Sequence, residues 1–196
     1  MKENYWSSMR LLKSEKKILD LLSEEKSDKK FLRRTLCALY VLNAACKIDR
    51  ETGCLVSSIA FTHGVNILHE LEIDYGTTED KAIFEYAKII GHKHRHEVSP
   101  YLAANLTLPE LRQFAQNQDY IWAVTTDGPH KGHMIGIIRA SENVYHVWDT
   151  HLLPILKRYN CYNAGPTEIS SLHSRLKLHH SHRIENPLCL YGFRSK

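Results

Sequence analysis

The sequence predicts an α+β protein, with N-terminal helices packed on a C-terminal antiparallel sheet. Three observations carry this. Up to about residue 118, apolar side chains recur mostly at helical spacing. From Tyr120 the runs YIWAVTT, HMIGIIRA and VYHVWDT turn rich in β-branched and aromatic residues, and the turn-forming stretches DGPHKG and SEN separate them. Helical segments first and strands afterwards mean segregated layers.

Taken in order, Ser14 to Glu25 puts Ile18, Leu19, Leu21 and Leu22 on one face of a charged segment, so residues 1–25 read as a first helix or as a secretion or docking segment. Lys29 to Ile48 is apolar nearly all round, the mark of a central helix. Asp49-Arg-Glu-Thr-Gly53 breaks the pattern, and a second buried helix is predicted from Cys54 to Leu71 on the recurrence of Leu55, Ile59, Val65 and Leu68. Thr78-Glu-Asp80 opens a helix that ends near Gly91. Thr107-Leu-Pro-Glu110 is a capping box with an early proline, opening a helix to about Gln118. Tyr120–Thr126, His133–Ala140 and Val144–Thr150 form an antiparallel meander, Thr167–Leu178 a weaker helix, and Pro187–Arg194 a closing strand. With no internal repeat, linker or low-complexity segment, residues 1–196 read as one domain.

Composition narrows the function classes. Of the 196 residues, 43% are hydrophobic and 24% charged, enough for a sizeable core and against general disorder. Lys and Arg total 26 against 22 Asp and Glu, and a net charge of +4 is too mild for the basic stripe of a nucleic-acid binder. No apolar run is long enough to span a membrane, and no apolar stretch precedes a small-residue cleavage site near Met1. The expected location is cytoplasmic, or a host cell reached without a classical signal peptide. Five cysteines (37, 46, 54, 161 and 189) without a C-x-x-C pair point to a reducing compartment. Phosphate-cradling and zincin motifs are absent. Thirteen histidines make the net charge sensitive to pH near 6.

Cys54 follows Thr52-Gly53 in the first turn of a buried helix. Unpaired amides and the positive end of the helix dipole favour a thiolate there, and can hold an oxyanion beside it. A small buried hydrophobe is the competing reading for such a cysteine. His133 opens a strand after Lys131-Gly132, and Asp149 ends the next one. Across a hairpin with the short SEN turn, the start of one strand lies beside the end of the next. The two residues are therefore predicted neighbours, with the carboxylate orienting the imidazole. Nucleophile, base and orienting group are the parts thiol catalysis needs. Taken singly, His133 reads equally as a turn histidine and Asp149 as a strand-end cap. Trp148 either shields this pair from water or simply packs the core.

Gly53-Cys54-Leu-Val-Ser-Ser58, then Gly132-His133-Met-Ile-Gly-Ile137, then Val147-Trp-Asp149 resembles the order found in papain-like (clan CA) cysteine hydrolases. The likeness is to the compact bacterial effector type, the YopT and AvrPphB proteases and the OspI glutamine deamidase, and it covers roughly residues 45 to 155. It implies a papain-like fold and thiol-dependent attack on a protein amide, with Cys54 as nucleophile, His133 as base and then acid, and Asp149 as orienting carboxylate. It also implies a protein substrate, such as a host protein, and no cofactor. Papain relatives carry a glutamine a few residues before the cysteine, whereas this chain has none before Gln113, which leaves the Cys54 amide with another backbone group, or Asn43, as oxyanion donors.

His92-Lys-His-Arg-His96 is the competing constellation. On an extended strand its three imidazoles would suit zinc or nickel. Lys93 and Arg95 intervene, however, and the stretch reads as a link between helices, so a solvated basic loop is expected and no metal is assigned. A metal-dependent hydrolase using His92, His94 and His96 is the weaker third reading. His179-His180-Ser-His182, with Arg175, Lys177 and Arg183, makes a basic surface. Such His-rich loops carry the second function class, a non-catalytic protein that docks an acidic partner.

Overall fold

The computed structural model describes residues 29–48, 53–65, 80–125, 133–150, 166–181 and 188–196. Within them lie helices α1 (Lys29–Ile48), α2 (Gly53–His63) and α3 (Asp80–Lys93), then strand β1 (His96–Ala103) and helix α4 (Leu108–Ala115). Strands β2 (Tyr120–Thr125), β3 (His133–Ser141), β4 (Val144–Trp148) and β5 (Pro166–Glu168) follow, then helix α5 (Ile169–Ser181) and strand β6 (Leu188–Ser195). The architecture is α+β, a six-stranded sheet in the order β1-β6-β2-β3-β4-β5 with every neighbouring pair antiparallel.

The strands alternate between two apolar faces. Trp122, Val124, Met134, Cys189, Tyr191 and Phe193 point to the side packed by α1, α2 and α3. Ile121, Ala123, Ile135, Ile137, Leu188 and Leu190 point to the side packed by α4 and α5. Two-sided burial explains why the central strands read as nearly continuous apolar runs. It also corrects the segregated picture: helices cover both faces of the sheet, and one strand, β1, comes before α4.

Helix α2 is buried along its whole length, between α1 and the sheet. It stops at His63 rather than continuing to Leu71, because Gly64 takes the left-handed conformation (φ 69°) and its N–H bonds the carbonyl of Ala60 at 2.8 Å. Arg34 of α1 donates to the Thr62 carbonyl at 2.5 Å, which satisfies another of the helix's terminal acceptors. At α4 the capping box forms as predicted. The Thr107 N–H donates to Glu110 at 2.8 Å, and the Glu110 N–H donates back to the Thr107 hydroxyl at 3.4 Å. This helix ends at Ala115, three residues early.

Two further predictions change. The stretch after Arg95 is a strand, β1, paired along its full length with β6. The segment expected to close the sheet is an inner strand instead, since β6 separates β1 from β2. The expected helix over 14–25, the remainder of residues 1–25, Cys161 and the DGPHKG turn lie outside the described residues.

Candidate active site

The site is assembled by the docking of α2 on β3 and β4. An apolar helix with Ser57, Ser58 and Thr62 in its interior must satisfy three buried hydroxyls. The Ser57 hydroxyl donates to the Gly53 carbonyl, and that of Thr62 to the Ser58 carbonyl at 2.9 Å. Two indoles from the sheet donate to the same hydroxyls, Trp148 to Ser57 at 2.9 Å and Trp122 to Thr62 at 2.8 Å. The Ser58 hydroxyl instead crosses to the strand and donates to the Met134 carbonyl at 3.0 Å. Gly136 permits the approach: a Cβ there would stand 2.9 Å from the Ser58 carbonyl oxygen and 3.2 Å from its Cα.

This docking sets the first turn of α2 against the start of β3. Cys54, the second residue of α2, is 8% exposed. His133, the first residue of β3, places Nε2 2.8 Å from Oδ1 of Asp149, just past β4, with side-chain exposures of 1% and 2%. The Cys54 thiol is the other group that acts on the His133 ring.

Burial pushes the Cys54 thiol up. The hydrogen bond and charge of His133, with backbone hydrogen bonds from Met134 and Leu55, outweigh it and hold the thiol below its ordinary range. Burial likewise disfavours the His133 imidazolium. Its hydrogen bonds to Asp149 and Cys54, and their negative charges, raise it to about 9. The arrangement favours a thiolate–imidazolium pair backed by a buried carboxylate. Chemically, that is a nucleophile with a proton donor beside it.

Gly53 is buried and offers its carbonyl to Ser57, while Trp148 packs against Phe61 with ring centroids 5.8 Å apart. Asn43 lies on α1, with its side chain outside the described residues.

The histidine stretch departs from the solvated loop. His92 ends α3 exposed, but His94 and His96 are half-buried and face His63 of α2, each ring 5.6 Å from it. His92, exposed in the last turn of α3, stands apart from this pair. Among the described residues no group of three His, Cys, Asp or Glu side chains stands in metal-holding geometry. None of the described helices is long and apolar enough to cross a membrane.

Sequence reasoning missed Ser57, Ser58, Met134 and Gly136. Two signals pointed to them: adjacent serines inside an apolar helix, and a lone glycine inside the strand HMIGII.

No protein-family model, curated protein or solved structure matches this chain.

Proposed function

We propose that the chain is a papain-like, thiol-dependent hydrolase of protein amide bonds, a cysteine protease or a protein-glutamine deamidase working as a bacterial effector. The observation that supports it is the convergence of Cys54, His133 and Asp149 from three separate segments into one buried cluster, in which His133 is hydrogen bonded to Asp149 and acts on the Cys54 thiol. The Cys54 thiolate attacks the amide carbonyl carbon to form a tetrahedral oxyanion. The His133 imidazolium gives its proton to the leaving nitrogen as the C–N bond breaks, which leaves a thioester and a neutral imidazole. Water then gives a proton to His133 and adds to the thioester carbonyl. Collapse releases the carboxylic acid and restores the pair. Asp149 keeps the ring oriented throughout. On this reading the amides in the first turn of α2 hold the oxyanion. Peptide and glutamine amides differ only in the amine that leaves, so both substrates run through the same steps.

The 8% exposure of Cys54 favours a second reading, a binding protein in which the thiol is core. One experiment separates the two: alkylation of each cysteine in native protein against pH, read by mass spectrometry, in wild type and His133→Ala. The hydrolase reading expects Cys54 to react fastest, to stay reactive well below pH 8, and to lose this in His133→Ala. Reaction of Cys54 only after unfolding, or no faster than the other cysteines, would overturn it in favour of the binding protein.

A further inference from the structure

The start of β3 pairs with β2 but runs beyond the end of β4 on its other side. The β3–β4 ladder begins at Gly136–Trp148, and β4 ends at Trp148, so Met134, two residues nearer the strand start, has no β4 residue opposite it. In an antiparallel ladder the N–H and C=O of one residue point the same way, and alternate residues serve the same neighbour. Both main-chain groups of Met134 therefore face the side where β4 has run out. Burying them unsatisfied would be costly. Helix α2 takes the place of the strand. The Ser58 hydroxyl donates to the Met134 carbonyl at 3.0 Å, and the Met134 amide acts on the sulfur of Cys54, four residues before Ser58 and so on the same face of the helix.

We infer that this gap in the ladder is a built thiolate-holding device: the Met134 amide stabilises the sulfur, and Ser58 is the positioning residue that aims it. The inference rests on the proposed thiol chemistry and deepens it. Ser58 does not touch the reacting atoms. It fixes where residue 134 lies along the helix, and because His133 is the residue just before it in the strand, it also fixes where the imidazole meets the thiol. Gly136 serves the same approach from the other side, since its missing Cβ is what lets the Ser58 backbone lie against the strand. Residues 54, 58, 134 and 136 thus form one clasp between helix and strand.

The test is the pH midpoint of Cys54 alkylation in wild type, Ser58→Ala and Ser58→Thr, with folding checked by circular dichroism. Ser58→Ala is expected to raise the midpoint by about one unit, roughly tenfold slower reaction below it. Ser58→Thr, which keeps a hydroxyl, is expected to restore the wild-type midpoint. A merely structural role would lower stability without moving the midpoint. A folded Ser58→Ala with the wild-type midpoint overturns the inference while leaving the hydrolase reading intact. An ordinary thiol midpoint in wild type overturns both. Should Ser58→Ala fail to fold, the Met134 amide proton shift in wild type decides, followed by NMR through the Cys54 ionisation. A shift that tracks the thiol midpoint upholds the device, and one that does not overturns it.

Discussion

Trp148 is joined to Ser57 by a 2.9 Å hydrogen bond from indole to hydroxyl, which ties the last residue of β4 to the helix that carries Cys54. Asp149 is the next residue in the chain. The bond therefore sets the spacing between the carboxylate and the thiol as well as the packing between layers. Trp148→Phe keeps the ring against Phe61 and loses only the donor, and Ser57 still reaches the Gly53 carbonyl. The expected cost is about 1 kcal/mol in urea unfolding. Trp148→Ala also empties the ring's place and is expected to cost about 3–5 kcal/mol. Equal losses in the two variants would show that the donor, not the ring, carries the effect.

Gly136→Ala tests the close approach of helix and strand. The new methyl would meet backbone atoms of Ser58, which cannot swing aside as a flexible side chain would. A loss of about 1–3 kcal/mol is expected, together with slower alkylation of Cys54, as α2 is pushed off β3. Unchanged stability and reactivity would mean that the helix has room to move.

On the proposed chemistry, the alkaline side of the activity profile belongs to His133. Held at about 9, it is the proton donor to the leaving nitrogen. Hydrolysis should therefore fall as pH rises through about 9, while Cys54 alkylation, which needs only the thiolate, should not. In Asp149→Asn the carboxylate charge is gone, so the fall should move to lower pH. His133's raised value adds stability in full below its unfolded value of about 6.5. That contribution drains away as pH rises through the folded value.

The acid side of the stability profile belongs to His63. Burial, with the charges of His96, His94 and Arg34 around it, holds the ring well below the ordinary histidine range. Tyr120, Trp122 and Phe193 supply ring walls, and Asp119 raises the neighbouring His96 in the opposite sense. Folded protein refuses a proton that the unfolded chain accepts near 6.5. The stability held above that pH should therefore fall as pH drops below it. His63→Leu should flatten the fall, as measured by urea midpoints at pH 7.5 and 5.5; an undiminished drop in the variant would locate the acid sensitivity elsewhere.

Much of this architecture was legible because its signals are local. The capping box at Thr107, the β-branched and aromatic runs of β2 to β4 and the short SEN turn each act over a few residues, and the turn is what placed His133 near Asp149. What escaped was non-local. Strand β1 carries Pro100 and sits at the sheet edge, half-exposed, so its apolar alternation is weak. The inner place of β6 depends on pairings with β1 and β2, from which it is distant in sequence. His63 lies inside the helix expected from Cys54 to Leu71, and nothing in its neighbours announced that His94 and His96 would fold back onto it.

The position of β6 has a consequence for the order of events during synthesis. Strand β1 reaches the remainder of the sheet only through β6, the last of the described elements to leave the ribosome. Until residues 188–195 emerge, β1 and β2 each present an unpaired edge, and the apolar faces of Trp122 and Val124 lack their neighbours Tyr191 and Cys189. Such edges are templates for pairing with other chains. The nascent chain is therefore most exposed to misassembly just before β6 emerges, and that one late strand, zipping in between two waiting edges, ends the exposure in a single step.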